Sequence, residues 1–372
     1  MRVYLDNAAT TPLHPEVLEY MLPLMKEHFG NPSSVHFHGR QTKALVEEAR
    51  KKIANVIHAS IGEIFFTSSA TEANNLIIQA AVRDLGVKRI ITSPIEHHCV
   101  LHTVEHVCGC HEVELEYLSV DQFGALNLDE LDSKLAENKG MTLVCLMHAN
   151  NEMGALADVK KIGEICKKHD VLFQCDAVQT VGKYDINVNE LNLSFMSGSG
   201  HKFYGPKGIG FVYIKGDNKI SPLIFGGAQE RNMRAGTENT YGIAGIGKAL
   251  ELCMADMVEH KEYITSLRTY LMKSLQDRIP NVKIVSPEDG HYCILNVAFP
   301  KNEKSEMMMF NLDIHGISAS AGSACSSGVA QASHVLEAIG LSADYQAIRF
   351  SISHYNTKDE MDFLLEKLEE IL

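Results

Sequence analysis

The segment Ser197-Gly-Ser-Gly-His-Lys202-Phe-Tyr-Gly-Pro-Lys-Gly208 sets a lysine among small residues directly after an apolar run. A lysine that forms a Schiff base must sit on rigid structure, admit a ring close by, and be neutral part of the time. Small residues before Lys202 leave room for a ring and a phosphate, and Ser199 and His201 are able to donate hydrogen bonds to that phosphate. The same string also reads as a Gly-rich surface loop. Lys202 needs company to mean more.

That company recurs along the chain. Phe66-Thr-Ser-Ser-Ala70-Thr71-Glu72 joins a strand to a helix, where free backbone N–H groups at Ala70 and Thr71, the Thr71 hydroxyl and the helix dipole suit an anion. It also reads as an ordinary helix cap. Cys175-Asp176-Ala-Val-Gln179 ends another apolar run. A carboxylate beyond a strand end can pair a protonated pyridine nitrogen and make the ring a stronger electron sink, with Gln179 donating to the ring's phenolic oxygen. Asp176 serves equally as an N-cap. Glu96-His97-His98 offers His97 as a flat partner for a ring, or as a loop or core histidine. Asn150-Asn151-Glu152-Met153-Gly154 is a turn, or brings Asn151 to a cofactor and a substrate carboxylate. These sites follow successive strand ends, and their convergence is what separates chemistry from punctuation.

A last segment, Ser320-Ala-Gly-Ser-Ala-Cys325-Ser-Ser-Gly328, carries a thiol on a polar loop of small residues. Such a loop is a poor place to bury a cysteine and a good place to carry a thiol into a site and out again. A free thiol with pKa of about 8.5 is only partly ionised at neutral pH, so the site should favour the thiolate.

The elements that must position these residues alternate. Strands are expected at 64–67, 89–93, 113–118, 142–147, 171–175, 193–196 and 210–214, with amphipathic helices at 73–85 and 159–168. Asn127-Leu-Asp-Glu130 has the spacing of a capping box. Strand–helix alternation argues for an α/β unit with a mainly parallel or mixed sheet. One long helix over 241–277 is expected to bridge to a smaller α+β unit, with strands at 282–285 and 293–298 and helices at 303–315 and 357–372.

The bulk composition narrows the class. The chain has 372 residues, more than one core usually holds. Its 34 Lys+Arg against 47 Asp+Glu, a formal net charge of −13, argue against a broad footprint for nucleic acid or an anionic membrane. No apolar run approaches the roughly 20 residues of a bilayer span. The opening Met1-Arg-Val-Tyr-Leu-Asp6 lacks the zones of a signal peptide. Nine cysteines without paired CxxC motifs fit reduced thiols and no metal site. A cytoplasmic enzyme is expected.

Together these segments resemble the NifS/IscS cysteine desulfurases, in the aminotransferase class V branch of fold-type I pyridoxal-phosphate enzymes. The likeness also runs through Tyr4-Leu-Asp-Asn-Ala-Ala-Thr-Thr-Pro12, Gly30-Asn-Pro-Ser-Ser34, Gly226-Gly-Ala-Gln-Glu-Arg231, Arg234-Ala-Gly-Thr-Glu-Asn239 and Ala347-Ile-Arg-Phe-Ser-Ile352. The resemblance implies a large pyridoxal 5'-phosphate-binding domain over 13–255 with a central mixed, mostly parallel sheet. It implies a small domain from 1–12 and 256–372, carrying the cysteine loop and Arg349.

Carried over, it makes Lys202 the Schiff-base lysine, His97 the stacking residue, Asp176 the partner of the pyridine nitrogen and Gln179 that of the phenolic oxygen. Ala70, Thr71, Ser199 and His201 would hold the phosphate, and Thr237 would reach the phosphate of a neighbouring subunit, implying a homodimer. Arg349, helped by Asn151, would clamp the carboxylate of L-cysteine. Cys325 would take its sulfur as a persulfide, leaving L-alanine, and pass it to an acceptor such as an iron–sulfur scaffold protein, or into thio-cofactor synthesis or tRNA thiolation. Selenocysteine lysis, transamination and a non-catalytic sulfur-carrier subunit are the competing readings. Ser69 stands where many relatives carry Gly, and is expected to be tolerated unless that turn requires a positive φ.

Overall fold

In a computed structural model of the protein, which describes residues 1–302, 305–321 and 333–372, the strands in chain order are β1 (Val3–Tyr4), β2 (Ile64–Thr67), β3 (Arg89–Thr92), β4 (Glu114–Tyr117), β5 (Thr142–Met147), β6 (Leu172–Asp176), β7 (Phe195–Ser199), β8 (Gly210–Ile214), β9 (Lys283–Ile284), β10 (Ile294–Pro300), β11 (Ile317–Ser318) and β12 (Tyr345–Ser351). Seven of them form one sheet in the order β2-β8-β7-β6-β5-β3-β4. From β7 through β4 every pairing is parallel, while β8 runs antiparallel to both β7 and β2. Strands β2, β3, β5, β7 and β8 are buried along their whole length, as a sheet covered by helices on both faces requires. The edge strand β4 is different. It carries Glu114 and Glu116, and Glu116 binds Arg89, Lys134 and Lys139, so the open edge is charged rather than sticky.

The second sheet, β12-β10-β9, is antiparallel, and β1 lies parallel to β11. Its core gathers Val3 and Leu5 from the start of the chain with Leu267, Leu271, Val297, Phe350 and Leu364 from its last third. The closing helix Lys358–Ile371 begins on a complete capping box, Thr357 with Glu360.

Four of the expected elements take a different form in the structure. The helix expected over 241–277 is two helices, Thr240–Ala255 and Met257–Arg278, broken at Asp256 (φ −108°, ψ 10°). The first buries Ile243, Ile246 and Leu250 in the core of the large sheet, the second Ile264, Leu267 and Leu271 in the other core, and the break lets the chain turn between them. The strand expected at 193–196 runs from Phe195 to Ser199, because β6 and β8 pair with it and supply the hydrogen bonds that its Ser-Gly-Ser end would otherwise lack. The helix expected at 303–315 is, within the described residues, a short 3-10 turn Ser305–Met307 followed by Met308–Ile314. Finally, only half of the Asn127 capping box forms. Asn127 accepts from the Glu130 N–H, but the Glu130 carboxylate turns away to Ser119.

Candidate active site

The carboxyl ends of β2, β3, β5, β6 and β7 open on one side of the sheet, onto a cavity of about 220 Å³. Lys202, His97, Ala70, Thr71, Asn151, Asp176, Gln179, Ser199, His201 and Arg349 all line it. Ten of the twelve site residues expected from the sequence therefore meet in one place. Thr237 lines a separate hollow with Ser68, Arg234 and Glu238. Cys325 lies outside the described residues.

The helix Ala70–Asp84 starts at the cavity. Ser69 caps it, accepting from the Glu72 N–H, with φ −171°. That is extended backbone open to any residue, so serine is tolerated here for the reason anticipated. Intrahelical bonding leaves the first N–H groups of a helix without partners, and Ala70 and Thr71 carry them to the cavity wall. The fit of β8 against this turn is tight. A Cβ on Gly210 would lie 2.7 Å from the Gly198 carbonyl oxygen and 2.8 Å from the Ser69 backbone. Gly198 itself serves packing rather than ring access, since a Cβ there would lie 2.4 Å from the Phe211 ring.

Asp176, at the end of β6, is 6% exposed. Its Oδ2 accepts from Asn74 Nδ2 at 2.7 Å and its Oδ1 from the Val178 N–H at 3.0 Å. Asn74 is in turn held by Gln174, at 2.9 Å. Each carboxylate oxygen keeps a lone pair for a cationic partner. Gln179 donates to the Ala8 carbonyl at 3.0 Å, and its Oε1 is buried without a partner among the described residues.

His97 caps the helix His98–Cys110, its Nδ1 accepting from the Cys99 N–H at 3.1 Å. That bond leaves the ring's other nitrogen to carry the proton of the neutral tautomer. Burial holds its pKa below the ordinary value, as does the field of Lys202. Burial, with Lys202 beside it, also pushes His201 down to about 4. Both rings are neutral at physiological pH. Next to His97, Glu96 is pushed up to about 8 by burial. Its Oε1 accepts from Ser93 and from the Met147 N–H.

Sequence reasoning missed the opening of the chain as a part of the site. Lys202 Nζ donates to the Ala8 carbonyl at 2.7 Å and the Ala9 carbonyl at 2.9 Å. His201 Nδ1 lies 3.2 Å from Thr10 Oγ1, and the Thr11 N–H and hydroxyl both donate to the His201 carbonyl. Asp6 binds Arg349 at 2.7 Å. Residues 6–11 thus touch Lys202, His201 and Arg349. Cys99 was missed too. It lines the cavity behind Asn74, and burial pushes its thiol up to about 12, out of nucleophilic use.

A mixed sheet with a lysine after one central strand and a carboxylate at the end of the next, both facing one cavity, is the fold-type I architecture of pyridoxal-phosphate enzymes. A model of the aminotransferase class-V family matches residues 3–364, and the chain belongs to that family. It is 45% identical over 375 residues to the cysteine desulfurase IscS of Dictyoglomus turgidum, covering 100% of this chain and 94% of that one. Among solved structures it superposes on a NifS-like protein with a TM-score of 0.92 at 38% identity, over 100% of this chain and 99% of the other. A structure of SspA in complex with cysteine matches with a TM-score of 0.82 at 33% identity, over 95% of this chain and 100% of that one.

Proposed function

We propose that the protein is a pyridoxal-phosphate-dependent cysteine desulfurase that converts L-cysteine to L-alanine and keeps the sulfur as a persulfide on Cys325. The observation that carries this reading is the single cavity in which Lys202, Asp176, His97 and Arg349 meet. The donors there suit the cofactor. Helix-start N–H groups with Ser199 and His201 match a phosphate. Asp176, fixed by Asn74, matches a pyridinium, and the Gln179 amide, one N–H of which donates to Ala8, has a second N–H that matches the ring's oxygen. Bound there, the cofactor would supply an electron-accepting ring that eases ionisation of the substrate's Cα–H.

The chain's own residues do the rest. Lys202 would hold the cofactor through Nζ and then carry the α-proton. His97, neutral and pinned by the Cys99 N–H, would lie flat against the ring. Arg349 and Asn151 would hold the substrate carboxylate. The Cys325 thiolate would attack the substrate sulfur, so that a C–S bond breaks as an S–S bond forms, and the carbon left behind collects protons to become alanine. Cysteine plus enzyme thiol thus balance alanine plus enzyme persulfide. Cys325 has this task under desulfuration and none under transamination.

The same reading includes a homodimer. Leu18, Leu22, Phe29 and Phe37 are exposed apolar residues near the start of the chain that a second copy would cover, and Thr237 stands outside its own cavity. It includes a division into 13–255 and 1–12 with 256–372, supported by the two separate cores. A cytoplasmic setting suits the eight described cysteines, all free thiols. The sulfur would pass to a protein acceptor, with iron–sulfur assembly one destination. Among the described residues no helix is long and apolar enough to cross a membrane.

The test is a visible spectrum of purified protein before and after L-cysteine, with alanine and the Cys325 persulfide quantified by mass spectrometry in the same sample. A spectral change with stoichiometric alanine and persulfide supports the reading. Sustained sulfide release by Cys325→Ser would remove Cys325 from its role.

A further inference from the structure

Arg349 is 1% exposed, and its five N–H groups are not equally employed. Nη1 donates to the Asn151 carbonyl at 2.8 Å and Nη2 to Asp6 Oδ1 at 2.7 Å. Nε is buried and has no partner among the described residues. A buried guanidinium donor without an acceptor is rare and costly unless a ligand completes it. Arg349 lines the cavity, so a carboxylate there would meet its guanidinium.

Something must hold the fork in that attitude, and the neighbouring geometry identifies it. Asp6 Oδ1 accepts at once from Arg349 and from the Ser320 hydroxyl, at 2.8 Å. Ser320 and Arg349 are themselves joined by two backbone hydrogen bonds, at 2.7 and 3.2 Å. Asp6 is fixed from behind by its bridge to Ser351 and by the turn in which its carbonyl accepts from the Ala9 and Thr10 N–H groups. Its place is over-determined.

The turn has a second consequence. Ala8 and Ala9, two and three residues on, hold Lys202 Nζ through their carbonyls. An α-amino acid carries its amino and carboxylate groups on one carbon, so the lysine end and the guanidinium must stand at a set separation to use both. Residues 6–9 set that separation from one short piece of backbone.

We infer that Asp6 is a positioning residue for the substrate carboxylate, fixing the attitude in which the Arg349 guanidinium meets an α-amino acid placed at Lys202. The inference rests on the desulfurase reading above. A plain structural ion pair would look similar at rest, but the two differ in what removing the charge or the acceptor does. Asn at position 6 keeps an oxygen for Nη2 and the Ser320 hydroxyl while removing a negative charge that competes with the substrate for the guanidinium. Ala removes both.

The experiment compares holoenzyme carrying Asp6→Asn, Asp6→Ala and Arg349→Ala with the wild type. Kinetics are measured with L-cysteine and with L-cysteinamide, which lacks the carboxylate. Binding of the non-reacting pair L-alanine and L-alaninamide is read from the visible spectrum of the bound cofactor. Asp6→Ala is expected to raise KM for L-cysteine about tenfold, leave kcat within about threefold, and leave the cysteinamide KM in place. L-alanine binding should weaken in parallel. Asp6→Asn should keep the wild-type preference for the carboxylate, with KM for cysteine equal or lower.

Equal losses for cysteine and cysteinamide in Asp6→Ala would make Asp6 merely structural and overturn the proposal. So would a raised KM for both in Asp6→Asn, a variant whose conserved shape guards against failure to fold. If Arg349→Ala loses the carboxylate preference while Asp6→Ala keeps it, Asp6 is excluded and the desulfurase reading stands. If Arg349→Ala keeps the preference, the carboxylate assignment itself fails and takes the proposal with it.

Discussion

Two sides of the cavity are assembled in different ways. On the side proposed for the cofactor, Thr71, His97, Asp176 and Ser199 each stand at or within five residues of the carboxyl end of a strand, so strand and residue are read together. On the side proposed for the substrate carboxylate, Arg349 comes from the middle of β12 in the second sheet and is held by Asp6, 343 residues away, and by the Asn151 carbonyl. The first side is a set of local motifs repeated along a parallel sheet, where strand ends converge by construction. The second is a meeting of the two ends of the chain. It depends on β1 lying beside β11 and on Ser320 bonding Arg349. Substitutions on the first side should therefore strike the chemistry, and those on the second should strike recognition.

The sharpest test of that contrast is Lys202→Ala. Alanine formation from L-cysteine should fall by about 10³-fold or more, since both the proposed anchor of the cofactor and the proposed proton carrier are lost. Gel filtration should then strip the bound chromophore. Next comes Asp176→Ala, expected to lower kcat by about 10²-fold through loss of the preorganised charge. Asn74→Ala should cost less, about tenfold, because the Val178 N–H still holds one oxygen of Asp176. On the other side, Arg349→Lys should raise KM for cysteine by roughly 10- to 50-fold with kcat little changed, because an ammonium cannot reproduce the planar fork. A fall in kcat matching that of Asp176→Ala would break the division between the two sides.

The smallest effect concerns stability rather than turnover. Glu96 has a folded pKa of about 8 because burial, with Asp176 nearby, penalises its charge. A raised folded pKa means that the native state binds a proton more tightly than the unfolded chain. Its contribution is fully present below pH ~4.5 and is lost as pH rises through about 8. Glu96→Gln keeps an oxygen for Ser93 and the Met147 N–H and cannot ionise. Its melting temperature should accordingly fall less than that of the wild type between pH 5 and 8, by calorimetry at fixed ionic strength. Parallel curves for the two proteins would show that Glu96 does not titrate in that window.

Legibility followed signal type. Strands β2, β5 and β8 and the helix Val159–Lys168 fall where periodicity puts them, because apolar runs and amphipathic spacing survive any context. The helices Pro15–Glu27 and His98–Cys110 did not announce themselves. The first carries Pro23 in its interior and the second is rich in His and Cys, types with weak helical preference. Packing decided both. Within the site, Asp176 and Lys202 were legible because only certain side chains suit such chemistry. Ala8 and Ala9 were not, because they contribute carbonyls, which every residue has.

The sequence by itself determined which side chains could bind a phosphate, pair a pyridinium or form a Schiff base, and which strand ends would present them. Those properties are local, set by residue type and by hydrophobic period. Only the tertiary structure decided that the first eleven residues would close the cavity from the other side, that one long helix would break at Asp256 to serve two cores, and that Asp6 would meet Arg349. Contacts across more than three hundred residues depend on how two cores pack and on how the end strands pair, and no spacing in the chain encodes them directly.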